Sequence, residues 1–264
     1  MRLQSKVAFN RRDLVQENYI MRTLNSIVTT PTNIKRAVFF NQQGASTALF
    51  DRSANAQNAT LSDTASTLSP NKANIIRTMN FNGTTYFDIA DADSLSFGNG
   101  SVDSPFTVIA LLNPTSLVSN VILAKYDETT GSPQREWYLI SFSTNKLYVR
   151  MYDNSTGGYI GRYYNTSLAS DCGTWHVYAF TYSGSSTSAG IKIYRDGVRV
   201  DDQNSASGSY VAMENLGAKL GSYILNTSTT KANMANSKYG FIAVIAEELS
   251  QTQITNIHNL LINS

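Results

Sequence analysis

Acid–base and nucleophilic chemistry need groups in pairs, and this chain supplies few. Retaining glycoside hydrolysis requires two carboxylates about 5–5.5 Å apart, which on a single strand means acids at alternating positions. Glu128, Glu136 and Glu214 each stand alone. Glu247 and Glu248 are adjacent, so on a strand they point to opposite faces. Cys172, the single cysteine, precedes His176 closely, but a nucleophile needs its base within hydrogen-bond reach. A loop-to-strand spacing does not provide that, and Cys172 reads as a half-buried turn residue. His258 falls among isoleucines and leucines and reads as a helix-surface residue. With no metal-spaced His cluster and no phosphate-binding Gly loop, the expectation is a protein that is not an enzyme.

Recognition chemistry is better represented, with 15 tyrosines in the chain. Sugars stack their CH faces on aromatic rings while their hydroxyls take hydrogen bonds. Residues 147–152 alternate Leu147, Val149 and Met151 with Tyr148, Arg150 and Tyr152. If the apolar set faces a core, Tyr148, Arg150 and Tyr152 share an open face. Tyr159, Arg162 and Tyr164 on the next strand and Trp137 on the preceding one extend the expected glycan-binding face. A solvated sheet face or an oligomer interface fits the same pattern.

These residues need a sheet to hold them, and the composition suits one. The chain has 264 residues, only 15% of them charged, and leans on Thr, Ser, Tyr, Val and Ile. β-branched and aromatic side chains pack on strands, while Ser and Asn favour turns. From residue 37 onward, short candidate strands recur at 37–40, 75–81, 106–112, 121–126, 137–142, 147–152, 159–164, 175–182, 191–194, 198–200, 218–221 and 239–246. Many short strands divided by turn clusters predict an all-β sandwich. Arg195-Asp196-Gly197 between two apolar runs is a hairpin signal, its Gly supplying positive φ. Ser250 caps a closing helix with Ile254, Ile257, Leu260 and Leu261 as its buried stripe.

The first 36 residues differ. Asp13 can cap a helix reaching Val28, on which Leu14, Met21, Leu24 and Val28 fall on one stripe. Val7, Leu14, Met21 and Val28 also keep a seven-residue spacing, the pattern of a self-associating or docking helix. Packing on its own domain is the other reading. Pro31 marks a linker. The expected organisation is 1–36 as a helical anchor or assembly segment and 37–264 as the sandwich.

Seven segments in order, spanning residues 37–261, resemble the laminin-G-like, concanavalin A-like lectin/glucanase domains. They are the 51–61 turn (Asp-Arg-Ser-Ala-Asn-Ala-Gln-Asn-Ala-Thr-Leu); Phe81-Asn82-Gly83 followed by Tyr86-Phe87-Asp88-Ile89; and the 106–114 strand. Trp175-His176-Val177-Tyr178-Ala179-Phe180-Thr181-Tyr182, Ile193-Tyr194-Arg195-Asp196-Gly197, Leu220-Gly221-Ser222, and Gly240-Phe241-Ile242-Ala243 before Glu248-Leu249-Ser250 complete the set. The resemblance implies an all-β, two-sheet antiparallel jelly-roll sandwich, here with a short N-terminal and a C-terminal helix. The glycosidases of the family carry Glu-x-Asp-x-x-Glu, a pattern missing from this chain. The resemblance also implies structural calcium, with Asp51, Asp91 and Asp93 as loop acids in the right region and Asp103 near them. Two departures weigh against it: Ala54 replaces the glycine of the Asp-x-Ser-Gly turn, and Ala243 stands where some relatives place Asp.

A formal net charge of +2 argues for neither nucleic acid nor an anionic membrane as partner. Residues 1–6 carry charges but no apolar run after them, so no export signal is expected. A fold normally found outside cells, without signal or disulfides, points to a bacteriophage virion surface protein, released by lysis. The expected partners are other virion proteins through the N-terminal segment, glycans, and further copies of the chain, a trimer being favoured. A purely structural capsid or tail component and a bacterial glycan-binding adhesin are the alternatives.

Overall fold

The computed structural model describes residues 11–41, 46–63, 68–70, 77–129, 131–225 and 230–263. Among them, the strands of five or more residues are β1 (Ile34–Phe39), β2 (Arg77–Asn82), β3 (Phe106–Pro114), β4 (Asn120–Asp127), β5 (Gln134–Ser141), β6 (Leu147–Tyr152), β7 (Tyr159–Tyr163), β8 (His176–Tyr182), β9 (Ile191–Arg195) and β10 (Asn236–Ile245). Two α-helices flank them, α1 (Arg11–Ile27) and α2 (Gln251–Asn263). No described helix is long and apolar enough to cross a membrane.

The run 108–112 is apolar at successive positions rather than alternating, which demands cover on both faces of the strand. β3 is accordingly buried at every residue. It sits inside an antiparallel sheet ordered β9–β8–β3–β10–β2, with β1 also paired to β10. One face of β3 (Phe106, Val108, Ala110, Leu112) packs against Trp137, Leu139, Val149 and Met151 of the second sheet. Its other face (Ile109, Leu111) packs under Ile20, Leu24 and Val28 of α1 and Ile254, Ile257 and Leu261 of α2. The second sheet runs β7–β6–β5–β4 and continues through the short strands Leu220–Gly221, Phe87–Ile89, Ala59–Leu61 and Ala48–Leu49. The result is the expected two-sheet sandwich, with both helices layered on the outside of the first sheet.

α2 starts as a capping box: the Gln253 amide N–H donates to Ser250 Oγ and the Ser250 N–H to Gln253 Oε1. Its buried stripe is the predicted one. In the hairpin, Asp196 and Gly197 both adopt positive φ, at 52° and 77°, as a type I′ turn requires. A Cβ at Gly197 would stand 3.2 Å from the Thr255 Cα, so this position also lets α2 approach the turn.

The N-terminal segment departs from the heptad reading. Val7 lies outside the described residues. Leu14 and Met21 are only half-buried, whereas Ile20 joins Leu24 and Val28 as the fully buried stripe. Contact with a flat sheet selects the straight-helix spacing of 20, 24 and 28 rather than a seven-residue seam. Polar ties hold the segment down. Glu17, itself buried, takes Arg52 Nε at 2.6 Å. Glu247 accepts the Thr29 N–H and Asn33 Nδ2, each at 2.9 Å, and Gln253 Nε2 donates to the Ile27 carbonyl at 2.7 Å. The boundary at residue 36 also falls inside β1, whose Ile34 pairs with Ile245. The segment 11–36 is thus packed as part of the sandwich.

Leu24→Ala is expected to lower stability by about 2–5 kcal/mol, read from urea unfolding of the full chain. A loss under about 1 kcal/mol, the size of an exposed-site change, would contradict the packing of α1.

Candidate functional site

The first sheet carries both helices, and the outer face of β4–β7 carries neither; at its centre Tyr126, Tyr138 and Tyr152 are nonetheless buried, with Ile224 packed beside them, while Tyr148, Arg150 and Tyr159 are half-buried. The side chains on it follow from cross-strand pairing, because directly paired residues share a face. Arg150 on β6 pairs with Tyr138 of β5 and Gly161 of β7; Tyr148 pairs with Tyr163, and Tyr152 with Tyr159. Tyr126 of β4 and Phe142, just past β5, complete an aromatic platform.

The rings support one another. Tyr126 lies edge-on to Tyr138 and Tyr152, with centroids 5.5 and 5.1 Å apart. Phe142 meets Tyr148 at 4.8 Å, and Tyr148 stacks on Tyr163 at 4.6 Å with the planes 12° apart. The Tyr152 hydroxyl donates to the Tyr138 hydroxyl at 3.2 Å. Arg150 threads between them: its guanidinium carbon is 4.3 Å from the Tyr159 ring centre and 5.6 Å from that of Phe142, while Nε donates to Ser205 Oγ at 3.1 Å. A cleft of about 270 Å³ opens here, lined by Tyr126, Glu128, Tyr138, Phe142, Arg150, Tyr152, Ile224 and Asn233.

Burial pushes the Tyr126 and Tyr138 phenols far above the usual tyrosine range, and neighbouring Tyr152 adds to both shifts. Their hydroxyls therefore keep their protons and donate or accept hydrogen bonds at any ordinary pH. Burial opposes the Arg150 charge, but Tyr138, Tyr152 and Tyr159 outweigh it and raise its pKa. The face offers rings, hydroxyls and a permanent cation. Rings of this kind can stack on the apolar side of a ring compound while the hydroxyls and the guanidinium exchange hydrogen bonds with its polar groups.

Of the residues expected on this face, Tyr148, Arg150, Tyr152 and Tyr159 are together there. Trp137 is not: it pairs with Met151 and lies fully buried between the sheets. Arg162 pairs with Val149 and so turns to the inner side of β7, where Asp201 Oδ2 meets its Nε at 2.6 Å. Tyr164, beyond the end of β7, packs against the inter-sheet core. Period two along β7 admits 159, 161 and 163 on one face, and Gly161 leaves that row without a side chain at its centre. Tyr126, Tyr138, Phe142 and Tyr163 were missed. Tyr138 and Tyr163 are placed by register, through their pairing with Arg150 and Tyr148; Tyr126 is displaced by an irregularity in β4 between Lys125 and Tyr126, which alternation does not reveal.

The glutamates are engaged as clamps. Glu136 receives Lys125 Nζ, with both side chains fully buried. Glu214 accepts the N–H groups of Asn154 and Ser155 at 2.7 and 2.8 Å, and Glu248 takes Lys192 at 2.6 Å. His176 bonds Asp196 through Nδ1 at 2.6 Å and Thr174 through Nε2 at 2.7 Å, while Cys172 packs against the core.

The residues expected to hold calcium do not fit it. Both Asp51 oxygens already accept chain donors: the Ala37 and Ser53 N–H groups at 2.9 Å, the Ser53 hydroxyl at 2.7 Å and the Gln57 N–H at 3.1 Å. Asp91 faces the Lys125 ammonium at 2.9 Å, and Asp93 accepts Asn215 Nδ2 at 3.0 Å. Among the described residues no group of three acidic, His or Cys side chains converges. Calcium coordination takes 6–8 oxygens free of such partners.

The chain belongs to the concanavalin A-like lectin/glucanases superfamily, a laminin-G-type model of which matches residues 81–255. A search of curated proteins finds no match. Among solved structures, the binding domain of Paraclostridial Mosquitocidal Protein 1 superposes with TM-score 0.59 at 15% identity, over 88% of this chain and 53% of that one. Botulinum neurotoxin type C, whose cell entry depends upon two ganglioside molecules, gives TM-score 0.59 at 13% identity, over 88% and 52%. Domain 4 of AbnA, an extracellular arabinanase from Geobacillus stearothermophilus solved with arabinotriose, gives TM-score 0.55 at 13% identity, over 85% and 98%. The chain thus spans about half the length of the two toxin chains and nearly all of the arabinanase domain. At these identities the likeness is one of fold.

Chelation with EGTA is expected to leave the melting temperature unchanged, and added calcium not to raise it. A calcium-dependent rise of several degrees, as a bound ion produces by mass action, would contradict the assignment of Asp51 as a turn clamp.

Proposed function

We propose that this chain is a non-catalytic glycan-binding module whose contact surface is the outer face of β4–β7, displayed on a bacteriophage particle. The observation that carries the reading is the cleft itself: aromatic rings, phenol hydroxyls and the Arg150 cation gathered on the side of the sandwich away from the helices. The arabinanase domain bound to arabinotriose and the ganglioside-dependent toxin support a sugar as ligand, since related sandwiches occur in sugar-binding proteins. The engagement of Glu136, Glu214 and Glu248 by neighbouring donors supports a role without bond cleavage. Individually weak contacts gain strength when many copies act from one particle, because each later contact forms at high effective concentration.

Affinity electrophoresis against a panel of soluble polysaccharides tests the sugar reading. At least one polymer is expected to retard the wild-type chain, and Phe142→Ala to weaken that retardation about tenfold, the equivalent of about 1.4 kcal/mol, with the fold intact by circular dichroism. Retardation by no polymer would leave a purely structural component.

Assembly is proposed to run through the outward side of α1, where Val15 and Tyr19 are 64% and 56% exposed. Light scattering of the full chain is expected to give a trimer, and Tyr19→Glu a monomer. A wild-type monomer at micromolar concentration would remove the assembly role.

A further inference from the structure

Arg150 is the feature of the cleft that a neutral sugar does not require. Five arginines meet acids: Arg52 with Glu17, Arg135 with Glu128, Arg162 and Arg199 with Asp201, Arg195 with Asp171; buried Arg36 is held instead by the Lys35 carbonyl and Gln57 Oε1. Arg150 meets no acid; among the described residues no carboxylate lies within 4.0 Å of its guanidinium. Its neighbours are the faces of Tyr159, Phe142 and Tyr148, the Ser205 hydroxyl and the Tyr152 hydroxyl, to which it also hydrogen-bonds. Ring faces attract a cation, but only in part do they replace the hydration it loses. Ser205 takes Nε and Tyr152 a further N–H, which leaves three of the five guanidinium N–H groups for a carboxylate. Glu128, the acid on the cleft lining, lies beyond the end of β4 on the far side from β6, with Arg135 Nη1 at 3.9 Å. Its pairing with Arg135 and its hydrogen bond with Tyr126 partly offset the repulsion it exerts on an anion in the cleft.

Resting on the glycan-binding reading of this face, we infer that the cleft selects sugar acids, the carboxylate seated on the Arg150 guanidinium and the apolar side of the sugar ring against Phe142 and Tyr152. The binding energy divides accordingly: stacking is indifferent to charge, and the paired N–H···O bonds distinguish an acid from its neutral counterpart. Net charge contributes little, because +2 acting over the whole chain is largely screened at 0.15 M salt.

The test compares each of several acidic polysaccharides (polygalacturonate, alginate, hyaluronate) with its own carboxyl-reduced product, at 0.15 M NaCl, by affinity electrophoresis of the full chain. At least one acidic polymer is expected to bind tenfold or more tightly than its reduced form. Arg150→Gln is expected to bring the two within about twofold while retaining the stacking contribution, and Arg150→Lys to keep part of the preference. Equal or tighter binding of the reduced polymers by the wild type overturns the acid selectivity and leaves the glycan face standing. An acid preference that survives Arg150→Gln, with that variant folded by circular dichroism, overturns the assignment to Arg150. Retardation by neither acidic nor reduced polymers overturns both readings.

Discussion

The middle of β3, residues 108–112, is apolar on both faces, and the rest of the molecule is arranged around that fact. A strand apolar on both sides must be enclosed, so one of its faces lies on the second sheet and the other beneath α1 and α2. The enclosure is fastened where the chain enters α2: the Thr107 hydroxyl donates to the Glu247 carbonyl at 2.7 Å and accepts the Leu249 N–H at 3.1 Å. Both helices being committed to the first sheet, the outer face of β4–β7 carries neither of them, and it is the face proposed for recognition. The helices are thus part of how the site is exposed, although they do not touch it.

Register then decides what the open face presents. Antiparallel pairing across β5, β6 and β7 brings Tyr138, Arg150 and Gly161 into one row, and the glycine in that row lets the Arg150 side chain lie across β7, its Cγ 2.8 Å from where a Cβ would stand. Edge-to-face contacts of the kind seen among Tyr126, Tyr138 and Tyr152 each contribute about 0.5–1.5 kcal/mol beyond burial. They hold the rings in place before any ligand arrives. A platform ordered in advance spends less of its contact energy on immobilising side chains when it binds.

The fold was largely legible because its signals are local: the unbroken apolar run of β3, the Asp196-Gly197 turn and the Ser250 cap each require a particular geometry. The face was half legible. Leu147, Val149 and Met151 alternate cleanly with Tyr148, Arg150 and Tyr152, and the structure keeps that division. On β5 both rows are apolar or aromatic, Trp137 and Leu139 against Tyr138 and Ile140, so hydrophobicity does not say which row is inside. On β7 the central position of the open row is Gly161, which hid the period and let Arg162 and Tyr164 pass for members of it. α1 misled for a related reason. Its heptad positions and its sheet-facing stripe share Val28, and only the tertiary contact shows that Ile20, rather than Met21, is buried.

The central claim is that this open face, and not the loops at the rim of the sandwich, takes the ligand. Hydrogen–deuterium exchange of the full chain, with and without a saturating oligosaccharide from a polymer that retards it, reads this most directly. The account predicts added protection in 134–142 and 147–163, where the backbone carries the platform. Protection confined to the rim segments 90–104 and 210–219, with 134–163 unchanged, would contradict it.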